Sequence, residues 1–418
     1  MERLQTPPDR QRSAAGAAGR LGVLIPEFPS QTHAFFRREI EAWRSAGHAV
    51  SVISTRRPPD DACRHDWADE ARRETHYLYP PRPAAVAGGM LRRPHRWAGA
   101  LAYIASLHES PARRKARALA LLASAADLRS FAARQGIGHV HCHSFADAAH
   151  VCAMARLLGG PTYSLTLHGD LPVYGVDHAA KVRHCLAVTT AGPHLVEPVA
   201  AIGFPRERIL SNPMGVDTER FRPADATSED TDARLRLITV ARLNRNKGHR
   251  FALAAMRRLV EAGFDLYYTI VGEGPYRPDL EREIREANLE SRVTLAGSRA
   301  EAEVLAMLRE HDAFLLPSVG LGEAAPVSVM EAMACGLPVI ASIIGSTPEM
   351  IRDGETGFLT PQEDVSAIEA ALRRLAEGPA LRRQLGDAAR AAAVERFDAR
   401  ASSLRLLDHL VRCGAAVA

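Results

Sequence analysis

The strongest constraint on the fold is an alternation of short apolar strands with amphipathic helices, which begins at Leu21. Leu21–Ile25 has the composition of a buried strand, and Gly47 stands where the helix after it would end. Alternation of this kind indicates a parallel sheet covered by helices on both faces. The first helix is marked by apolar residues at helical spacing, Phe35, Phe36, Ile40 and Trp43. Further strands are predicted at His48–Ile53, Gly138–Ser144, Thr162–Leu167 and Cys185–Thr190.

The same rhythm starts again at Leu235, after a polar and acidic stretch without periodicity. The chain has 418 residues, which is too long for one ordinary core. We therefore predict an α/β protein with two doubly wound, Rossmann-like domains that face a cleft, where such sheets bind their ligands. The predicted parts are a disordered tail (1–19), an N-terminal Rossmann-like domain (20–222), a linker (223–234), a C-terminal Rossmann-like domain (235–397) and a last helix that packs back on the first domain (398–418).

Charge and cysteine usage narrow the class of protein. A net charge of +4 is too weak to indicate nucleic-acid binding, although it suits an anionic substrate or a lipid surface. The six cysteines are scattered and form no C-x-x-C pair, which favours free thiols in a reducing compartment. The sequence shows neither a secretory signal at its start nor an apolar run of membrane-spanning length. These features predict a cytoplasmic protein.

Residues 80–135 are rich in Arg, Ala and Leu and predict one or two amphipathic helices. Their basic and apolar part, 88–117, suits peripheral contact with an anionic inner membrane. The alternative is an ordinary helical insertion whose arginines face water.

The segment from Glu323 to Ala341 contains the strongest candidates for ligand-binding residues. Pro326 suits the first turn of a helix and Gly336 its end. The unpaired amides at such a helix start can hold a diphosphate. Glu331, on the helix, can accept hydrogen bonds from two ribose hydroxyls, and Glu323, on the loop, can reach a sugar on the same diphosphate. The alternative is that Glu331 is a solvated helix residue.

A basic cluster, Arg242 to Lys247, follows the predicted strand Leu235–Val240. Fixed cations there would stabilise the charge on a departing phosphate, most of all in the transition state. The alternative is a basic turn that only keeps the protein in solution.

These residues resemble the family 4 retaining glycosyltransferases of the GT-B fold. The resemblance runs from Leu235 to Thr360 and includes Gly272–Pro275, Gly345–Glu349 and Asp353–Gly357. It implies a metal-independent enzyme without a cofactor, whose co-substrate is a nucleotide diphosphate sugar and whose acceptor attacks the front face. The implied catalytic residues are His168, Arg242, Lys247 and Glu323. The implied donor-binding residues are Arg242, Lys247, Gly272, Glu323, Ala325, Pro326, Val327, Glu331 and Gly345.

The first half is similar to the exopolysaccharide and colanic-acid branch of this family. Its loop Pro26–His33 lacks the paired glycines of many members, and F-F-R-R-E-I follows. His168-Gly-Asp170 resembles the H-G-x-D-like segment of the family, and Asn212–Asp217 its N-x-x-G-V-D turn. The predicted acceptor-binding residues are Ser30, Gln31, Thr32, His143 and Asp170, with Glu39 as a further contact.

His139, His141 and His143 alternate along one predicted strand and would share a face, which suggests a metal site. No Asp, Glu or Cys completes a ligand set in the sequence around them, and related glycosyltransferases have similar histidine-rich strands. We therefore predict no metal.

The predicted function is transfer of a hexose-type sugar from a UDP- or GDP-linked donor to a saccharide or lipid-linked saccharide, in exopolysaccharide or glycoconjugate synthesis. A natural-product glycosyltransferase and a nucleotide-sugar 2-epimerase remain as alternatives. An oxidoreductase would need G-x-G-x-x-G, and Arg277 stands where the third glycine should be. A non-catalytic scaffold would be expected to have lost one of the charged residues.

Overall fold

The computed structural model describes residues 19–92, 94–224, 234–321 and 323–417. The predicted tail, apart from Gly19, and most of the predicted linker lie outside these residues. The described chain forms two parallel sheets, one of seven strands and one of six, each with helices packed against it. The two-domain α/β architecture predicted from the sequence is confirmed.

The first sheet has the strand order β3-β2-β1-β4-β5-β6-β7, with every pair parallel. Its strands are β1 (Arg20–Glu27), β2 (Val50–Arg56), β3 (His76–Tyr77), β4 (Ile137–Cys142), β5 (Thr162–Leu167), β6 (Val188–Thr190) and β7 (Ile209–Ser211). Its helices are α1 (Ala34–Ser45), α2 (Ala68–Glu74), α3 (Pro83–Arg92), α4 (Pro94–Ala105), α5 (Ala112–Gln135), α6 (Asp147–Leu157), α7 (His178–Val182) and α8 (Val196–Ala201).

The second sheet has the order β10-β9-β8-β11-β12-β13, again parallel. Its strands are β8 (Leu235–Val240), β9 (Leu266–Val271), β10 (Val293–Gly297), β11 (Ala313–Leu316), β12 (Val339–Ser342) and β13 (Gly357–Thr360). The helices are α9 (His249–Glu261), α10 (Arg277–Glu286), α11 (Glu301–Arg309), α12 (Val327–Ala334), α13 (Thr347–Met350), α14 (Val365–Glu377), α15 (Pro379–Arg396) and α16 (Ala399–Arg412).

Strand order reverses at the centre of each sheet, between β1 and β4 and between β8 and β11. In sheets of this type the crevice for a ligand lies beyond the carboxyl ends of the strands at that reversal. The loops after these strands therefore have the best position for a site.

The last helix, α16, belongs to the core of the first domain although it follows the second. The buried indole N–H of Trp43 donates to the carbonyl of Ser403 at 2.8 Å. Leu406, Leu407 and Leu410 share an apolar cluster with that tryptophan. The polypeptide thus passes from the first domain to the second and then returns, and the returning helix α16 completes an apolar cluster of the first domain.

The segment 80–135 differs from its prediction, because it forms three helices, α3 to α5, rather than one or two. All six cysteines are free, and only Cys413 is not buried. In the part of the chain that the structure describes, no helix combines the length and the apolar character needed to cross a bilayer.

Candidate functional site

Lys247 and Glu323, which are 76 positions apart, meet at the carboxyl edge of the second sheet. Lys247 follows β8 in a short turn, and its ammonium group donates to Oε2 of Glu323. Ser318 donates to the same oxygen at 2.9 Å. The turn is possible because Gly248 has φ +69° and a Cβ atom there would lie 1.8 Å from the Pro317 carbonyl oxygen. The pair is partly buried, with 19% of the lysine side chain and 11% of the glutamate side chain exposed.

The start of α12 lies beside this pair. Pro326 precedes the helix and has no side chain that could cap its first amides. Gly345 packs against the same loop so closely that a Cβ atom would lie 1.8 Å from the Glu323 carbonyl oxygen. The next amide, of Ser346, donates to Ala324 at 2.6 Å. The loop that brings Glu323 to Lys247 therefore leads into helix amides without a side-chain cap, and such amides suit a diphosphate.

Of the remaining predicted donor residues, Gly272 follows β9 and packs against the carbonyl of Ala241, and Ala325 and Val327 are half-buried on either side of Pro326. Arg242 is exposed, and among the residues that the structure describes it has no ion-pair partner. Arg242 nevertheless lies near His33 of the first domain. The pKa of His33 is lowered to about 4, mainly by burial and to a smaller extent by the positive charges of His143 and Arg242.

Glu331 lies on α12 and is bound by a residue from the other domain. Nη2 of Arg38 donates to its Oε1 at 2.7 Å, and the same nitrogen lies 3.3 Å from Glu301. Burial raises the pKa of Glu331, and Arg38 opposes this shift. Glu331 is therefore not a solvated helix residue, since only 13% of its side chain is exposed.

In the first domain, Glu39, His143 and His168 form a hydrogen-bonded chain. Oε1 of Glu39 accepts from Nε2 of His143 at 2.8 Å, and Nδ1 of His143 lies 3.2 Å from Nε2 of His168. Because the carboxylate accepts, His143 carries its proton on Nε2, and its Nδ1 accepts from His168. This assigns the proton of His168 to Nε2 and leaves its Nδ1 as an acceptor. Burial, followed by His143 and His33, places the pKa of His168 well below 6.5.

The expectation that no carboxylate accompanies the histidine-rich strand is wrong, because Glu39, 102 positions before His141, reaches it from α1. One ligand atom each of Glu39, His141 and His143 lie within 4.8 Å of one another. Both ring nitrogens of His141 already bond to hydroxyls, of Ser164 at 2.7 Å and Thr166 at 2.8 Å. The observed contacts are thus those of a hydrogen-bond network.

Two predicted acceptor contacts have other partners. Glu39 is 4% exposed and bonds to His143, so its carboxylate is used inside the domain. The amide of Gln31 donates to the Arg299 carbonyl at 2.7 Å and accepts from the Arg64 amide at 2.9 Å, which places it between the domains. Of the other predicted contacts, Thr32 is exposed, and Ser30 and Asp170 are half-buried.

Sequence reasoning missed Arg38, His33 and the contact of His194 with the Ser346 hydroxyl at 3.1 Å. Arginines on an amphipathic helix normally face water, so nothing in F-F-R-R-E-I separates Arg38 from Arg37. Only the arrangement of the two domains shows that Arg38 enters the second.

Comparisons with known proteins agree with this architecture. Residues 224–392 match the family model of glycosyl transferases group 1. The putative colanic acid biosynthesis glycosyltransferase WcaL of Escherichia coli K12 is 40% identical over 171 residues, 40% of this chain and 42% of WcaL. The amylovoran biosynthesis glycosyltransferase AmsK of Erwinia amylovora is 39% identical over 186 residues, 43% of this chain and 45% of AmsK. The aligned part spans less than half the length of these curated relatives.

Solved structures match almost the whole chain at low identity. Sucrose-phosphate synthase from Thermosynechococcus elongatus aligns with a TM-score of 0.71 and 21% identity, over 95% of this chain and 100% of that one. HepE of Anabaena, in complex with UDP-glucose, aligns with a TM-score of 0.71 and 16% identity, over 94% and 99%. The chain therefore has the GT-B fold, and its second domain is a group 1 glycosyl transferase domain similar to those of exopolysaccharide biosynthesis proteins.

Proposed function

We propose that the protein is a retaining, metal-independent glycosyltransferase. It moves a hexose-type sugar from a UDP- or GDP-linked donor to a saccharide or lipid-linked saccharide, in exopolysaccharide or glycoconjugate synthesis. The observation that carries the proposal is the meeting of Lys247 with Glu323 beside the uncapped start of α12. A sugar diphosphate needs a cation and free amides for its phosphates, and a nearby carboxylate for the hydroxyls of its sugar.

In this proposal the second domain holds the donor. Arg242, Lys247 and the first amides of α12 bind the diphosphate, and Glu331 binds the ribose. Glu323 accepts hydrogen bonds from the transferred sugar while Lys247 turns toward the phosphate. Negative charge grows on the diphosphate as the glycosidic bond breaks, and fixed cations stabilise this charge most in the transition state. The complex of HepE with UDP-glucose supports this class of donor.

The first domain supplies His168 at the other side of the cleft. Its Nδ1 has no proton in the assigned tautomer, so it can accept a hydrogen bond from a hydroxyl of the donor sugar or of the acceptor. The low pKa of His168 keeps the imidazole neutral in ordinary buffers. Ser30, Thr32 and Asp170 are the proposed acceptor contacts. Front-face attack would retain the anomeric configuration.

The first test is a thermal-shift screen of the protein against UDP, GDP, ADP, TDP and NAD, with and without EDTA. A ligand that binds only the native state raises the melting temperature by mass action. A shift with one nucleoside diphosphate, unchanged by EDTA, supports the proposal and identifies the donor class. A shift with NAD alone, or with none of the five, refutes it.

A second assay distinguishes the acceptor classes. The 2-deoxystreptamine glucosyltransferase of Streptomyces kanamyceticus is 29% identical over 250 residues, 54% of this chain and 64% of that protein. It favours a small-molecule acceptor as the second candidate. Mass spectrometry of products from lipid-linked saccharides and from aminocyclitols separates these two. A changed nucleotide sugar without any acceptor product would indicate an epimerase instead.

We also propose that the protein contacts an anionic membrane through α4 and the start of α5. Arg113, Arg114 and Arg117 are exposed there, and Leu101 and Leu119 are 47% and 52% exposed. Basic side chains beside exposed leucines suit the surface on which a lipid-linked acceptor would lie. We expect sedimentation with phosphatidylglycerol vesicles at low salt, and none with phosphatidylcholine vesicles. Failure to bind the anionic vesicles at low salt would contradict this.

A further inference from the structure

Three consecutive charged residues on α1 have three different partners. Neighbouring side chains on a helix are rotated by about 100°. Arg37 pairs with Glu41 and Glu70 at the surface of its own domain. Glu39 turns inward to the histidine chain. Arg38 alone leaves the first domain and enters the second.

The environment of Arg38 is buried and strongly polar. Its Nη2 lies 2.7 Å from Oε1 of Glu331 and 3.3 Å from Oε2 of Glu301, and its guanidinium carbon lies 5.1 Å from the ring centre of Phe221. Only 9% of the Arg38 side chain is exposed. Removal of water from an arginine and two carboxylates is costly, and buried ion pairs of this kind seldom add net stability over apolar side chains.

The hydrogen bonding of Arg38 is also incomplete. Its Nε and Nη1 are buried and have no hydrogen-bond partner among the described residues. A side chain selected for stability alone would be expected to satisfy these donors, because each unsatisfied buried group is unfavourable. The position of the Arg38 guanidinium is therefore better explained by its contact with the Glu331 carboxylate than by stability.

We propose that Arg38 is a positioning residue of the donor site: from the first domain, it fixes the Glu331 carboxylate of the second in the orientation that holds the ribose hydroxyls. The inference rests on the proposed function, which assigns Glu331 to the ribose. The contact uses Oε1, and Oε2 can accept from the ribose. The nucleoside site is then complete only while the two domains are together, which links donor recognition to the cleft.

Neighbouring contacts support this composite site. Gln31 donates to the Arg299 carbonyl at 2.7 Å, and Nδ1 of His65 accepts from the Glu301 amide at 3.4 Å. The loops before α1 and before α2 thus contact the start of α11, beside the Arg38 pair. The first domain therefore reaches the nucleoside side of the cleft at several points.

Arg38 also opposes protonation of Glu331. The charged and titratable groups that face Glu331 are Arg38 from α1, Glu301 from α11, His65 from the first domain and Cys335 directly after α12. Burial and Glu301 raise the pKa of Glu331, whereas Arg38 and His65 lower it. Without Arg38 the pKa would rise further, and the carboxylate would become protonated, and lose acceptor capacity, as the pH falls.

The test uses wild type, R38M and R38K, with R37M as the matched control from the same helix. Isothermal titration measures binding of the nucleoside diphosphate that shifts wild type most, and of its 2′,3′-dideoxy form, from pH 5.5 to 8.5. We expect R38M to weaken the ribonucleotide about tenfold or more, with a loss that deepens at low pH, and to leave the dideoxy form within about twofold of wild type. R38K should lie between, and R37M should match wild type.

Each other outcome is informative. If wild type binds no nucleoside diphosphate, the proposed function fails before Arg38 is tested. If wild type binds and R38M binds both ligands equally well, the positioning role is refuted. Equal weakening of both ligands would mean that Arg38 acts on the cleft as a whole, and tighter ribonucleotide binding would mean that it competes for Glu331; both refute the role. If R38M does not fold, R38K must still lose affinity for the ribonucleotide only.

Discussion

Replacement of Lys247 by methionine removes the ammonium group and keeps most of the side-chain volume. In the structure this group neutralises Glu323, and in the proposed reaction it turns to the departing diphosphate. Two unit charges about 4 Å apart interact by about 4 kcal/mol at an effective dielectric constant near 20, the value for partly buried sites, and by about 1 kcal/mol in water. Because 19% of the lysine side chain is exposed, we take a loss of about 2–4 kcal/mol.

Such a loss corresponds to a decrease in kcat/KM of about 30-fold to 1,000-fold. The assay is release of the nucleoside diphosphate in the presence of acceptor, with the fold of each variant checked by circular dichroism. R245M is the matched control, because Arg245 lies two residues away but pairs with Asp279 at the surface, with 69% of its side chain exposed. It should retain wild-type kinetics.

A double-mutant cycle tests the contact itself. Lys247 and Glu323 touch, so K247M and E323Q should not be additive, with an interaction energy of about 0.5–3 kcal/mol. Wild-type kcat/KM in K247M, or an equal loss in R245M, would show that this lysine does not stabilise the leaving group.

Three further predictions concern metal, acid and the last helix. EDTA should leave turnover unchanged, and strong inhibition reversed by a single metal ion would direct attention to the histidine-rich strand. Burial lowers the pKa of His139 to about 3 and that of His141 well below 6.5. The unfolded chain therefore binds protons below pH 6.5 that the native state does not, and urea unfolding should show a loss of about 2 kcal/mol per such histidine between pH 7 and pH 5; a constant free energy of unfolding would contradict this. Trp43→Phe should lower the free energy of unfolding by about 1–3 kcal/mol, because it removes a buried hydrogen bond to the Ser403 carbonyl and leaves part of the indole volume empty. An unchanged urea midpoint would contradict this expectation.

Regular elements with clear periodicity were predictable from the sequence. Thr162–Leu167 and Leu235–Val240 are strands with the predicted bounds. Pro326 and Gly336 mark the ends of α12 to within a residue or two. Three short strands, β3, β7 and β13, were missed because two to four residues are too few to show an apolar pattern.

The proximity of Lys247 and Glu323 was also predictable, because both follow strands of one parallel sheet at its carboxyl edge. The first domain's part of the site was not. Glu39 and Arg38 lie on an amphipathic helix, and neither burial nor partner can be read from neighbours in sequence. Glu39 reaches a histidine 104 positions away, and Arg38 a glutamate 293 positions away. Contacts of this separation follow from the packing of whole elements and domains.

The return of α16 to the first domain affects how chimeric proteins should be made. A swap of donor domains between relatives at a single junction, in the linker, would also exchange the helix that covers Trp43 and would mismatch the apolar cluster there. A second junction is needed near Asp398, where the Val216 amide donates to the Phe397 carbonyl and the Val216 carbonyl accepts from the Ala399 amide, which joins the two crossings. With both cuts, each recipient keeps its own Leu406, and the exchanged unit is the second domain alone.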